Sequence, residues 1–398
     1  MKIIPYGKQD IRQEDIDAVI AALTSDYLTQ GPRIPEFETA FAAYTGAKYA
    51  VAVANGTAAL HLSALALNVK PGDKVITTPI TFAASANCVK YCGGEVFFCD
   101  IDPETYLLDI EQVKTLLASH PKGTFKGIIP VDFAGYPVNL EAFRALADEY
   151  GLWIISDACH SPGGHFTDSK GQQQFCGSSN YADLTVFSFH PVKHIAAGEG
   201  GMITTNNKEL YEKLLFLRTH GITRNEQQYI NTPSIATAGA DEENYPGWYM
   251  EMQELGYNYR LTDFQAALGS SQLKRADSGL IRRKEIAAIY DKAFKGHASI
   301  KSLGLELSTG AVSHAYHLYV IQAEDRLGLY NYLRKHNILP QIHYIPLNLM
   351  PYYQKQGYKA GDFPVAEAYY SKCLSLPMYP SLSNEDHAYV IERILSYY

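Results

Sequence analysis

The sequence predicts an α/β protein: a mostly parallel central sheet flanked by helices, with a smaller C-terminal α/β domain. Three observations predict it. From residue 50 onward, short and nearly continuous apolar runs alternate with helical patterns, as expected of strands covered on both faces by crossover helices. A chain of 398 residues exceeds what one hydrophobic core usually holds, so two domains are expected. After a long helical stretch at 260–296 the texture changes to a second, shorter set of strands and helices.

Taken in order, "AVAVAN" (50–55) reads as a buried strand, followed by "GTAALHLSALALN", whose Ala and Leu spacing suits a helix buried on at least one face. The same alternation continues through "DKVITTP" and "FAASANCVKYC", "GEVFFCD" and "DIEQVKTLLASH", then "GIIPVDFAG" and "NLEAFRALADEY". "LWIISDA" leads to "LTVFSF" (184–189) and "GGMITTN" (200–206), two further strands. Residues 222–258 are rich in Gly, Pro, Asn and Tyr with little periodicity, and a loop that long is usually functional or interfacial. The C-terminal set comprises "HAYHLYVIQ" (314–322), a helix around "DRLGLYNYLRKHN", a strand at "LPQIHYIPL" (339–347), and two helical stretches. The boundaries expected are an N-terminal segment 1–30, a large domain 31–260 and a small domain 261–398.

Composition narrows the partners. A formal net charge of −8 without a run of Lys or Arg argues against nucleic acid or an anionic membrane, yet leaves room for an anionic small molecule in one pocket. The N-terminus "MKIIPYGKQD" turns polar too early for a signal peptide, and no apolar run is long enough to span a bilayer. The expected location is the cytoplasm. Six cysteines are spread without a paired Cys-x-x-Cys knuckle, so they read as buried reduced thiols and no metal site is expected.

Chemistry concentrates at the strand ends, where ligands of such sheets gather. In "FSFHPVKHIAAGEGG" (187–201), Lys193 lies between two buried strands. Desolvation there favours the free amine, the form that makes Schiff bases. Asn55, Gly56, Thr57 and Ala58 sit where the first strand gives way to a helix, whose free N–H groups favour an anion. Ser188 offers a further hydroxyl to the same phosphate. Asp157 ends "LWIISDACH", placed to hold a pyridinium nitrogen protonated. His160 lies three residues on, near a cofactor ring oxygen, and Phe82 in "TTPITFAAS" is placed to stack on a ring face. Each has an ordinary structural alternative, as cap, salt-bridge partner or core residue; their order along the chain makes the set specific. No Rossmann phosphate fingerprint is present, which counts against a nucleotide-dependent oxidoreductase.

On the stretches "LTQGP" (28–32), "VANGTAALHL", "TTPITFAASAN", "DFAGYP", "SDACHSPGG", "SFHPVKHIAAGEGG", "LRTHGI", "GYNYRLTDFQAALG" and "QIHYIPL", nearly the whole chain resembles the DegT/DnrJ/EryC1/StrS sugar aminotransferases. The resemblance implies the fold-type I architecture of enzymes dependent on pyridoxal 5'-phosphate (PLP), with 31–260 as the cofactor-binding domain. It implies Lys193 as the lysine bonded to the cofactor, Asp157 as the pyridinium partner, His160 near the ring oxygen and Phe82 on the ring face. Thr57, Ala58 and Ser188 match the phosphate cup, and Asn258 of "GYNYRL" matches an asparagine that reaches the neighbouring subunit's cofactor phosphate, which implies a homodimer with shared active sites. Relatives that remove a hydroxyl carry histidine in place of the lysine, so Lys193 points to amino transfer rather than dehydration. The stretches "EMQELGYNYRLTD" and "SFHPVK" resemble the branch that aminates C4 of UDP-2-acetamido-2,6-dideoxy-β-L-arabino-hex-4-ulose with L-glutamate as donor, in pseudaminic acid biosynthesis. Branches acting on UDP-bacillosamine, perosamine and dTDP-sugar precursors share every one of these catalytic residues. Thr29, Gln30, His317, His343 and Tyr344 are the expected contacts for the UDP-linked keto sugar.

Overall fold

The computed structural model describes residues 3–303 and 311–398. Seven strands form the main sheet: β1 (Tyr49–Val53), β2 (Lys74–Thr77), β3 (Glu95–Phe98), β4 (Phe125–Ile129), β5 (Trp153–Asp157), β6 (Leu184–Ser188) and β7 (Gly201–Thr205). Their spatial order is β1-β7-β6-β5-β4-β2-β3. The ladders β2/β3, β2/β4, β4/β5 and β5/β6 are parallel, whereas β7 runs antiparallel to both β6 and β1. Six strands therefore point one way, and their carboxyl ends share one edge.

The crossovers are α3 (Gly56–Ala66), α4 (Ala84–Tyr91), α5 (Ile110–Ala118) and α6 (Leu140–Tyr150), with α1 (Gln13–Leu23) and α2 (Arg33–Thr45) preceding the sheet and α7 (Lys208–Arg218) following it. Asn55, Asp109 and Asn139 cap α3, α5 and α6 by accepting a backbone N–H one turn in, which removes a donor each helix start would otherwise leave unpaired. Val51, Leu60, Ile76, Ile128, Ile154 and Val186 form the centre of the main core. A second cluster lies under the segment after β6, where Phe37, Phe41, Phe187 and Phe189 meet edge to face or tilted, with ring centroids 4.9 to 6.1 Å apart. It gives the Lys193 loop a rigid floor.

Helix α8 (Asp263–Leu273) packs on α1 and α2, and α9 (Ala276–Phe294) carries the chain onward. Asp15 of α1, with no exposed surface, accepts from Ser271 Oγ at 2.7 Å and Gln272 Nε2 at 2.8 Å and pairs with Arg275. The C-terminal sheet is antiparallel, β8 (Ile300–Ser302), β9 (Tyr319–Ala323) and β10 (Cys373–Leu376), with β9 in the middle. Its core joins Ile286, Tyr290 and Phe294 of α9 to Leu329 and Leu333 of α10 (Arg326–Lys335) and Val390 and Ile394 of α12 (Asn384–Leu395), while α11 (Pro364–Lys372) gives Ala366 and Tyr369 to the main core.

One stretch departs from the sequence reading. Of 339–347, expected as a strand, only Leu339 belongs to a ladder, Ile338–Leu339 pairing with Ile4–Pro5, and Gln341 bridges to Ser375. Pro340 and Pro346 have no N–H to offer a ladder, and the chain between them turns His343 and Tyr344 inward. The segment 222–258 is irregular as expected but has an anchor. Its ends pair through Ile222–Thr223 and Glu251–Met252, and the Glu251 carboxylate accepts from Ile230 N, Asn231 N, Tyr249 Oη and Gln253 Nε2. Among the described residues no helix is long and apolar enough to cross a membrane, and all six cysteines are unpaired.

Candidate active site

A cavity of about 420 Å³ opens at the shared carboxyl edge of the sheet. Thr57, Phe82, Asp157, His160, Ser188, Lys193, His317, His343 and Tyr344 all line it. They come from six separate stretches of chain, so the fold brings together what the sequence scatters over nearly 300 residues.

Lys193 sits in a loop closed at its base, where Phe189 N donates to Gly200 O and Ala197 N to Phe189 O, both at 2.8 Å. Burial lowers the pKa of its ammonium, against the pull of Cys159 and Asp157 and with the help of Arg283. Asp157, at the end of β5, is 5% exposed. Its Oδ2 accepts from Ser85 Oγ at 2.6 Å and its Oδ1 from Cys159 N at 3.1 Å, while Thr81 Oγ1 lies 2.7 Å from Ser85 Oγ. These bonds fix the direction in which the carboxylate faces the cavity.

At the opposite end, the N-terminus of α3 meets Ser188. The N–H groups of Gly56 and Thr57, in the first helical turn, have no intrahelical acceptor. Gly56 is required by close approach: a Cβ there would come within 2.9 Å of Ser188 Cβ. Ala58 is behind this cup, and its N–H donates to Asn55 Oδ1 at 2.8 Å, so it is committed to the helix cap.

One wall is made of imidazoles. His160 and His317 rings lie 4.3 Å apart, and His194 lies 5.8 Å from His317. Desolvation holds all three well below the usual histidine range. His160 Nε2 is 3.3 Å from Tyr344 Oη, and His160 Nδ1 is buried without a hydrogen-bond partner. His343 is tied through Nδ1 to Ser375 Oγ at 2.8 Å, and burial takes its pKa down to about 3. His317 arrives on the 314–318 segment, laid across the "DFAGYP" loop by Ala315 N to Gly135 O and Leu318 N to Ala134 O. Gly135 has φ 98°, and a Cβ on it would strike His160 O and the N atoms of Tyr316 and His317. Phe82, 63% exposed, stands at the cavity mouth, 6.4 Å from Tyr344.

Besides Ala58, which does not line the cavity, three expected residues lie elsewhere. Thr29 bridges to Thr262 and Asn258 to Thr219; Gln30 lines a separate cavity of about 380 Å³ beside Arg218 and Arg260. All three are exposed. Sequence reasoning missed Tyr6, Ser85, Cys159, His190 and Glu199, which also border the main cavity. Ser85 carried a faint signal, since Thr81 and Ser85 place two hydroxyls four residues apart at a helix start. Among the described residues no group of three or more His, Cys, Asp or Glu is arranged to hold a metal ion.

The sequence profile of the DegT/DnrJ/EryC1/StrS aminotransferase family matches residues 9–395. The chain is 40% identical over 399 residues to the spore coat polysaccharide biosynthesis protein SpsC of Bacillus subtilis, covering 98% of this chain and 96% of that one. It is 34% identical over 402 residues to the UDP-4-amino-4,6-dideoxy-N-acetyl-β-L-altrosamine transaminase of Campylobacter jejuni, covering 99% and 97%. Among solved structures, Helicobacter pylori PseC, an aminotransferase involved in the biosynthesis of pseudoaminic acid, superposes with a TM-score of 0.86 at 29% identity, covering 100% of this chain and 99% of that one. The PLP form of Spr1654, a putative sugar aminotransferase from Streptococcus pneumoniae, gives 0.85 at 29% identity, covering 100% and 98%.

Proposed function

We propose that this chain, which belongs to the DegT/DnrJ/EryC1/StrS aminotransferase family, transfers the amino group of L-glutamate to C4 of UDP-2-acetamido-2,6-dideoxy-β-L-arabino-hex-4-ulose. It is a PLP-dependent sugar aminotransferase with the fold-type I architecture, working between an amino donor and a keto sugar. The identities of sugar, nucleotide and donor are the proposed part. The observation that carries amino transfer is the convergence of Lys193, Asp157 and the α3 N-terminus on one cavity.

The residues present fit the cofactor. A buried His160 Nδ1 has no partner, the cup between Gly56 and Ser188 has no room for a Cβ, and a carboxylate and an amine face the space between. When bound, PLP supplies an electron-withdrawing ring that takes up an amino group from one substrate and releases it to the next. Gly56 N, Thr57 and Ser188 would hold the phosphate, favoured by the partial positive charge of the helix start. Asp157, oriented by Ser85, would keep the ring nitrogen protonated, and Phe82 would cover one ring face. Lys193 would hold the cofactor and then, as a free amine, move a proton between donor or sugar carbon and cofactor. Since it reaches from one side only, sugar orientation decides the configuration of the new amine. His317, His343 and Tyr344 would orient the sugar.

The reading includes a homodimer. Thr29, Gln30 and Asn258 lie outside their own chain's cavity, which suits residues that complete a neighbour's site. Ile16, Ile20, Leu23, Tyr27 and Leu28 on and after α1 are each 44 to 56% exposed, an apolar surface a second copy would cover.

The test is to couple the protein to a 4,6-dehydratase that inverts C5 of UDP-N-acetylglucosamine, and separately to a non-inverting one, and compare kcat/KM. Preference for the L-arabino ketone is expected. Preference for the D-xylo ketone, or for a dTDP or GDP sugar, would replace the substrate and leave amino transfer standing.

A further inference from the structure

The cavity at the sheet edge is short of positive charge. Among its lining residues Lys193 is the single lysine or arginine, and the lining also carries the carboxylates of Asp157 and Glu199. Burial holds His160 and His317 well below the usual histidine range and takes His343 down to about 3. The free N–H groups at the start of α3 suit one phosphate. An amino donor that brings two carboxylates therefore meets no guanidinium in the chain that supplies Lys193.

An unmatched guanidinium stands outside it. Every other arginine has a side-chain hydrogen bond, an ion pair or a ring contact. Arg260 has none among the described residues, and its Nε is buried without a partner. With Gln30, Glu38 and Arg218 it lines the cavity of about 380 Å³. There Arg218 Nη1 donates to Glu38 Oε1 at 2.6 Å and to Ala52 O at 2.8 Å, so that pair is closed and Arg260 is the charge left over. The backbone decides which way it faces. Residues 257–260 run extended between α7 and the end of β1: Tyr259 N donates to Arg218 O at 3.1 Å, Ala54 N donates to Tyr259 O at 2.8 Å, and Arg260 bridges to Val53. Tyr257 and Tyr259 stack with ring centroids 5.0 Å apart, both packing against His61 of α3, whose Nδ1 lies 3.0 Å from Tyr259 Oη. Alternate residues of an extended chain share a face. Asn258 and Arg260 are therefore together on the opposite one, about 7 Å apart along the chain.

We propose that Arg260 crosses the dimer interface and holds the α-carboxylate of the amino donor in the neighbouring protomer's cavity, supplying the cation that cavity lacks. This rests on amino transfer and on the homodimer, as proposed above. Asn258, on the same face, is the residue read as reaching the neighbour's cofactor phosphate, so Arg260 stands two residues from the cofactor. The donor's α-carboxylate is one carbon from the amine that must meet that cofactor, whereas the diphosphate of a sugar nucleotide is separated from C4 by the sugar ring. A guanidinium offers a carboxylate two parallel N–H groups, which fixes the direction of the amine as well as its distance. The same contact selects among amines. One that lacks the carboxylate leaves a desolvated cation unpaired and is rejected at that cost.

The experiment needs no sugar. Protein loaded with PLP is mixed with L-glutamate alone, and loss of the bound cofactor's visible absorbance is followed by stopped flow. Arg260 meets Val53 through its backbone, so Arg260→Gln leaves that bridge in place. It is expected to slow the glutamate step by about 10- to 100-fold below saturation, the range of a lost hydrogen bond to a charged group. Its Kd for PLP and its inhibition by UDP should match the unsubstituted protein. Arg260→Lys keeps the charge without the fork and should fall between the two. Mixing Lys193→Ala with Arg260→Gln should restore a fast phase once subunits have exchanged, because one site of each mixed dimer then has both an intact Lys193 and an intact Arg260. An unchanged glutamate step in folded Arg260→Gln, a loss confined to PLP or UDP binding, or no fast phase despite exchange overturns the proposal. Failure of the underlying reading is seen separately, as an unsubstituted protein that does not react with glutamate.

Discussion

A lysine that moves protons has to be a free amine held where two substrates in turn can reach it, and the Lys193 loop meets both needs. Lys193→Ala is expected to lower kcat by at least about 10²-fold, because general acid–base help alone is worth about 10² to 10⁴. Borohydride treatment should then fix no cofactor to the protein. Steady-state rates and peptide mapping together check this, and retention of either signal contradicts the assignment. Gly56→Ala tests the phosphate cup. Its Cβ would press on Ser188 Cβ at 2.9 Å, and overpacking of this kind costs about 1–3 kcal/mol. Lower Tm and weaker PLP binding are expected together, with Lys193 chemistry intact in what remains bound. Such residues were legible because each stands at a strand end or helix start, where local sequence reports position. Ser85 and Tyr6 were not: Ser85 meets Asp157 across 72 positions of chain, and Tyr6 reaches the cavity from the first few residues of the sequence.

At the scale of elements, the sheet was legible and its accessories were not. Strands buried on both faces show as apolar runs whatever lies beside them, so β1 to β7 follow the expected segments closely. The 339–347 stretch has the same composition, yet its prolines deny it a ladder and it became a cavity wall. The joint between α1 and α8 is likewise invisible locally, since Asp15 looks like an exposed first-turn carboxylate and is instead buried against Arg275, Ser271 and Gln272. Asp15→Ala would leave that guanidinium unpaired, and breaking a buried pair costs about 3–5 kcal/mol. Urea unfolding should show a loss of that size, whereas a change under about 1 kcal/mol would mean water already serves Arg275. The Glu251 anchor predicts something narrower. Glu251→Ala removes four acceptor contacts from the 222–258 segment, so limited proteolysis should cut there first while the sheet core keeps its hydrogen-exchange protection.

The whole molecule answers to pH through its buried imidazoles. His160, His194, His314, His317 and His343 are all held below the usual histidine value by desolvation, His314 and His343 down to about 3. In the unfolded chain they titrate near 6.5. Above that pH both states are neutral there and the full stability is present. As pH falls below 6.5 the unfolded chain takes up protons that the folded chain refuses, and stability is lost until the folded values are reached. Asp132 acts with the opposite sign. Burial pushes its carboxyl up to about 6, so between that value and about 3.9 the folded state takes up the proton first and gains. Burial also lowers His61, His165 and His387 and raises Asp291, so depressed imidazoles outnumber raised carboxyls and the balance below pH 6.5 is a net loss of stability. Set against a total stability of about 5–15 kcal/mol, acid unfolding of the apo-protein is expected. Calorimetry between pH 7.5 and 5 should show a steep fall in Tm below 6.5, accompanied by net proton uptake on unfolding. A flat Tm across that range would mean that the imidazole wall is hydrated and titrates like free histidine, and the dry setting argued for Lys193 would fall with it.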